Sequence, residues 1–137
     1  MNDLIVKLIL ILLKRVPKES IFYVGDYMAT CLSDGILPET MVIHVKKDNP
    51  YFKWYNYGII LTADNISYLM RVLKSNANIT SYFCNYAIVY QNKILVKVLD
   101  EEIFSIQSNL VSDKDDEFLQ ECEINNIYIY IEDDIYD

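Results

Sequence analysis

Apolar residues recur every three to four positions in the first segment of the chain. One wide face of this segment carries Leu4, Ile5, Leu8, Ile9, Leu12 and Val16, and a narrow stripe carries Asp3, Lys7 and Lys14. The pattern predicts an amphipathic helix that starts near Asn2 and ends before Pro17. Its apolar run is too short for a signal peptide or a membrane span. We therefore expect a core helix, with a membrane-surface helix as the alternative.

Between residues 20 and 99 the pattern predicts two helices and four strands. In chain order these are a short helix within residues 20–33, strands at 41–45 and 58–61, a helix from about 62 to 76, and strands at 79–90 and 93–99. The first helix ends before Gly35, and the second can be capped by Thr62 or Asp64. Gln91 and Asn92 are expected to form a tight hairpin turn.

The last third of the chain becomes regular only near its end. Asp100 can cap a short turn through Phe104, and Ser112 or Asp113 can cap a helix that ends near Cys122. Beyond that helix, two sets of residues alternate, namely Ile127, Ile129 and Ile131 with Tyr128, Tyr130 and Glu132. A period of two predicts a strand with its isoleucines facing inward and its tyrosines facing outward.

These elements predict one α+β domain over residues 1–137, built on an antiparallel or mixed sheet of about five strands with three to four helices. A chain of this length can bury a core of its own. The expected parts are a helical part at about 2–33, a sheet-containing part at about 40–132 and a short acidic tail at 132–137.

Charge is distributed unevenly along the chain. From Asp100 onward there are thirteen acidic residues and one basic residue, Lys114, so this part has a net charge of −12. Residues 1–99 contain eleven basic and seven acidic residues, a net charge of +4. Such a field attracts a cationic partner and repels nucleic acid and anionic membranes.

Residue types that catalytic and metal sites need are scarce. His44 is the single histidine and lies in a predicted strand, which favours a structural or surface role over that of a general base. Cys31, Cys84 and Cys122 are widely spaced and odd in number, which fits neither a disulfide framework nor a zinc site. The three glycines are isolated, so no phosphate-binding loop is expected. We expect no enzymatic activity, no metal and no cofactor.

An acidic cluster and an aromatic segment are two further candidates. The cluster, Asp113, Asp115, Asp116 and Glu117, lacks the glycine and ligand spacing of a calcium loop, and acids favour the first turn of a helix. The aromatic segment, residues 51–57, interleaves five aromatic side chains with Lys53 and could stack nucleic-acid bases. Because the chain is anionic, we expect this segment to cover the core instead.

The C-terminal residues are the strongest candidates for binding a partner. Tyrosines combine a rigid contact area with a hydrogen-bonding tip, and neighbouring carboxylates pair with lysine and arginine. The expected contact residues are Tyr128, Tyr130, Glu132, Asp133, Asp134 and Tyr136, together with the acidic cluster Asp113, Asp115, Asp116 and Glu117. A solvated tail that only improves solubility is the alternative.

In size, charge and composition the chain is similar to bacterial immunity proteins, which bind and block a cognate, usually basic nuclease toxin. No motif supports the resemblance residue by residue. It implies a non-catalytic cytoplasmic protein whose partner is a basic protein, a cognate toxin domain, and not nucleic acid or a membrane. One alternative is a viral protein that binds a host factor, which a composition typical of an A/T-rich gene permits equally. Another is a small enzyme with an unrecognised site around His44 and the carboxylates.

Overall fold

The computed structural model describes residues 2–100, 102–113 and 116–136. Within them lie the α-helices α1 (Asn2–Arg15), α2 (Tyr27–Ser33), α3 (Ala63–Ser75) and α4 (Glu117–Ile124). The strands are β1 (Ile21–Val24), β2 (Val42–His44), β3 (Tyr57–Ile60), β4 (Tyr86–Tyr90), β5 (Lys93–Leu99), β6 (Ile103–Gln107) and β7 (Tyr128–Glu132). Short 3-10 helices span Glu39–Met41, Ala77–Phe83 and Ser108–Leu110.

The strands form one mixed sheet in the order β2-β3-β1-β4-β5-β6-β7. Neighbouring strands run antiparallel except for β6 and β7, which are parallel and are connected through α4. The prediction of a single α+β domain is therefore confirmed. The predicted strand number was wrong, because the described chain has seven strands and not about five.

The four helices cover one face of this sheet, which we call the helix face. Leu8 and Leu12 of α1 are almost inaccessible there, so the prediction of a core helix is confirmed. The ring of Phe22 in β1 lies 5.4 Å from that of Phe83, centroid to centroid. Burial of such aromatic and aliphatic side chains is the main force that holds the helices on the sheet.

The opposite face, which we call the outer face, is covered in its middle by the aromatic segment. The rings of Tyr51 and Tyr55 lie 5.0 and 6.3 Å from the ring of Tyr23 in β1. Ile135 packs into the same buried cluster and forms an antiparallel bridge with Ile94 of β5. The expectation that the aromatic segment covers the core is thus confirmed, and the C-terminal tail is partly packed.

Local sequence signals agree with several helix and strand ends. The Thr62 hydroxyl accepts a hydrogen bond from the backbone N–H of Asn65 at 3.2 Å, which confirms the predicted cap of α3. Gln91 and Asn92 have φ values of 49° and 64°, as a tight hairpin turn between β4 and β5 requires. The first hairpin strand starts later than predicted, at Tyr86, because the residues before it form a 3-10 helix.

Strands β1 and β6 were not predicted. Strand β1 lies inside the N-terminal part that was expected to be helical, and α2 occupies the later positions of that part. Strand β6 follows a tight turn in which Asp100 has a φ of 52°. No helix in the described ranges combines the length and apolar character that crossing a membrane demands.

Candidate functional site

Strand β7 places Tyr128, Tyr130 and Glu132 side by side on the outer face. Successive side chains of a strand point to opposite faces, and Ile129 pairs with Phe104 on the helix face. The two tyrosines accordingly point outward, as predicted, and are 71% and 55% exposed. Of the inward isoleucines, Ile129 is half-buried and Ile131 is exposed, because β7 is the last strand of the sheet.

Neighbouring strands extend this exposed surface with two aliphatic side chains. Tyr128 is the register partner of Ile103 in β6, which in turn pairs with Leu99 in β5. All three residues are exposed, in one row across the outer face. We call Leu99, Ile103, Tyr128 and Tyr130 the tyrosine face. In the next row, Tyr130 is the register partner of Ser105 in β6, which pairs with Lys97 in β5. Both Ser105 and Lys97 are half-buried.

Acidic side chains lie at both ends of the tyrosine face. Asp100 and Glu102, in the turn between β5 and β6, line a cleft of about 260 Å³ together with Tyr128. Glu132 lies at the other end of β7, and Asp133 and Asp134 follow it. These carboxylates give the surface an anionic rim around an aromatic centre. A rim of this kind suits a partner with lysine or arginine residues around an apolar patch.

The last residues of the predicted set lie beyond Glu132. The Asp133 carboxylate accepts a hydrogen bond of 2.8 Å from the Ser108 hydroxyl, so one of its oxygens is held locally. Asp134 and Tyr136 line a cleft of about 300 Å³ beside the turn residue Asn92. Tyr136 is among the most exposed aromatic residues in the described chain. The C-terminal residues therefore continue the surface that begins at Tyr128.

Asp116, by contrast, has an internal role. It caps α4 by accepting a 2.8 Å hydrogen bond from the backbone N–H of Phe118. Its two carboxylate oxygens also accept hydrogen bonds from Nη1 of Arg15 in α1, at 2.8 and 2.9 Å. Two further hydrogen bonds come from the backbone N–H and the hydroxyl of Ser112, at 3.0 and 3.2 Å. Its carboxylate is buried and engaged within the protein, which favours a structural role over the predicted contact with a partner.

The environment of Asp116 lowers the pKa of its carboxyl group. Burial favours the neutral acid, but the hydrogen bonds from Ser112, Arg15 and Phe118 and the charge of Arg15 outweigh it and bring the pKa to about 2. An ordinary aspartate in the unfolded chain has a pKa of 3.8. The folded state therefore binds this proton less tightly than the unfolded state, and ionised Asp116 stabilises the fold.

This pKa difference predicts how the contribution of Asp116 depends on pH. Its stabilisation should be complete above about pH 5 and should fall by roughly 2 kcal/mol as the pH drops through 3.8 towards 2. Urea unfolding of the parent protein and of Asp116→Asn at several pH values measures this loss of stabilisation. The difference in unfolding free energy between the two proteins should shrink by that amount. A difference that stays constant down to pH 2 would contradict the assignment.

The two other acids of the cluster that the structure describes, Asp113 and Glu117, lie away from the tyrosine face. Asp113 is exposed before α4, Glu117 is exposed in its first turn, and Asp115 lies outside the described residues. Helix α4 packs on the helix face through Phe118, whose ring centroid is 5.6 Å from that of Phe104. The described acids of the cluster thus lie on the opposite side of the sheet from the tyrosine face.

Helix α1 also pairs with acids of α4. Lys7 Nζ lies 2.7 Å from Glu121 Oε1, and this hydrogen bond raises the pKa of the lysine. Together with Arg15 and Asp116, this contact joins α1 to α4 at two points. Part of the acidic charge of the C-terminal segment is therefore balanced within the protein.

The residues considered for catalysis are not grouped. His44 is exposed in the edge strand β2, and its ring centroid is 5.1 Å from that of Tyr57. In the part of the chain that the structure describes, no hydrogen bond or ion pair joins His44 to a carboxylate, and no set of side chains is arranged as a metal site. Cys31 and Cys122 are buried, and desolvation raises the pKa values of their thiols to about 11 and about 12.

The aliphatic half of the tyrosine face was missed from the sequence. Ile103 was assigned to a capped turn, and Leu99 to the end of a hairpin strand. The signal that could have found them is the alternation of Ile103, Ser105 and Gln107 with the apolar Phe104 and Ile106. That alternation marks a strand with one half-exposed face.

The chain matches no protein-family model, no curated protein and no solved structure.

Proposed function

We propose that this protein is a non-catalytic binding protein of the cytoplasm, which uses the tyrosine face to hold and neutralise a basic protein, as immunity proteins hold nuclease toxins. The observation that carries the proposal is the exposure of Tyr128 and Tyr130 beside Leu99 and Ile103, with carboxylates at both ends. Monomeric proteins rarely expose contiguous apolar surfaces. Surfaces that combine aromatic residues with a polar rim are typical of protein contacts.

The aromatic centre and the acidic rim have different roles in this function. Tyr128 and Tyr130 supply large side chains with few rotatable bonds, so their immobilisation costs little entropy and their burial slows dissociation. Glu132 and Asp134, at the rim, raise the rate of encounter with a cationic partner. The whole chain has a net charge of −8, so it would attract a basic toxin before the two proteins are in contact.

Co-purification with the product of a neighbouring gene tests the proposal. The full chain and each adjacent gene product are expressed together and separated by size-exclusion chromatography. A basic neighbour is expected to co-elute as a one-to-one complex, and its toxic activity is expected to disappear in that complex. If none of the adjacent products co-elutes at micromolar concentration, the immunity function loses its support.

Salt dependence of the association rate gives a second prediction. Charges on the rim act over about 10 Å at 0.1 M ionic strength and over much shorter distances at higher salt. We expect the association rate to fall about tenfold or more between low salt and about 0.5 M salt, with a smaller change in the dissociation rate. Stopped-flow fluorescence with a dye attached to the partner can follow the reaction. A flat salt dependence would assign the acids to solubility alone.

A further inference from the structure

Strand β7 is an open edge of the sheet. It pairs on one side with β6, and it is the last strand in the order of the described chain. The chain that follows it turns away past the end of β6, where Ile135 forms its bridge with Ile94. None of the described residues pairs with the outer edge of β7, so the backbone N–H and C=O groups along that edge can pair with another strand.

The other edge of the sheet is built differently. Strand β2 has three residues, Pro38 precedes it, and Lys46 and Lys47 follow it. Short length, proline and lysine are features by which proteins prevent unwanted strand pairing. Strand β7 has five residues in regular alternation and contains neither proline nor lysine. Of the two edges, β7 is the one that lacks these protective features.

The side chains of β7 define the partner that fits this edge. A strand added to β7 would contact Ile131, which is 49% exposed on the helix face, and Tyr130 on the outer face. One of its ends would lie near Glu132 at the end of β7, so a lysine or arginine side chain at that end would find a carboxylate there. A second copy of the chain fits less well, because two molecules of net charge −8 repel each other.

The geometry points to strand addition: the basic partner places an extended, lysine- or arginine-bearing segment along the free edge of β7 and continues the sheet. This inference rests on the proposed function and names the way in which the same surface binds. Backbone hydrogen bonds would supply affinity, and the alternating side chains of the added strand would supply selectivity. The tyrosine face would then contact one row of those side chains.

Hydrogen exchange with a cationic peptide tests strand addition on the full-length protein. The probe is a synthetic peptide of about nine residues that alternates lysine and threonine, enough to span β7. On binding, we expect the amides of alternate β7 residues to exchange at least about tenfold more slowly, because the N–H groups of every second residue point to the open edge. A glutamate–threonine peptide of the same length is the matched control and should leave β7 unchanged.

Two further peptides separate strand addition from side-chain contact. One carries methyl groups on the backbone nitrogens of its lysines, and the other on those of its threonines. Each retains all charges but loses the hydrogen-bond donors of one edge. The affinity of one of the two is expected to be at least about ten times lower than that of the unmethylated peptide, because it loses several hydrogen bonds to β7. The other is expected to bind like the unmethylated peptide.

Several results would overturn the inference. They are unchanged exchange at β7 in the presence of the peptide, equal affinity of both methylated peptides, or protection of the same amides in a concentrated solution of the protein alone, which would identify a second copy as the occupant. The proposed function is judged separately, by co-elution with the basic neighbour and by the tyrosine variants. It can stand even where strand addition fails.

Discussion

Replacing Asp116 by asparagine is expected to lower the free energy of unfolding by about 2–4 kcal/mol, although the two side chains have nearly the same shape. The aspartate accepts hydrogen bonds from Arg15, Phe118 and Ser112 while its side chain is almost completely buried. Asparagine cannot balance the positive charge of Arg15, and its amide group can replace only part of the helix cap. The loss should be measurable by urea unfolding at neutral pH.

Glu123→Gln is the matched control for this prediction. It also removes one carboxylate from α4, but Glu123 is exposed near the end of the helix. Surface charges of this kind change stability by less than about 1 kcal/mol. If both variants lose the same small amount, Asp116 is an ordinary surface acid in solution, and the contact between α1 and α4 does not depend on it.

The sequence predicts best where one side of an element faces water. The isoleucines of β7 alternate with tyrosines, and the apolar stripe of α1 repeats at helical spacing, so both elements were predicted with nearly correct bounds. Strand β1 lacks such a pattern. It lies inside the sheet, where Phe22 faces the core on the helix face and Tyr23 faces the buried cluster on the outer face. A strand that is apolar on both faces shows no alternation of apolar and polar residues from which it could be predicted.

The candidate site shows a second limit. Tyr128 and Tyr130 could be predicted to point outward because that follows from one strand alone. Their neighbours Leu99 and Ile103 depend on the register between three strands, which a single sequence does not reveal. The role of Asp116 depends on Arg15, which is 101 positions away in the chain. Local acidity therefore suggested a surface residue where the fold required a buried one.

Strand order also changes the meaning of the charge asymmetry. Along the chain, the acids after residue 99 form one anionic segment. In the fold, Glu121 and Asp116 pair with α1 on the helix face, whereas Glu132 lies on the outer face at the end of β7. The binding contribution of an acid is thus expected to depend on its side of the sheet, and not on its position in the segment.

Removing both tyrosines of β7 should have the largest effect on binding. We expect Tyr128→Ala and Tyr130→Ala each to cost roughly 1–3 kcal/mol of affinity for the basic partner, and the double variant to lose roughly 2–6 kcal/mol, a factor of about 30 or more. Both side chains point into solvent in the free protein, so their truncation removes little of its core. Isothermal titration calorimetry measures the affinity, and thermal unfolding checks that stability is retained.

Tyr27→Ala provides the matched control, because Tyr27 is 64% exposed but lies at the start of α2, away from β7. General loss of surface aromatic area would weaken binding in that variant as well, whereas a specific contact at the tyrosine face would leave it unchanged. Parent-like binding by the Tyr128 and Tyr130 variants would move the contact surface elsewhere on the protein. The exposed part of the aromatic segment, around Trp54, would then be the next surface to vary, since it presents an aromatic ring beside Lys53 in place of acids.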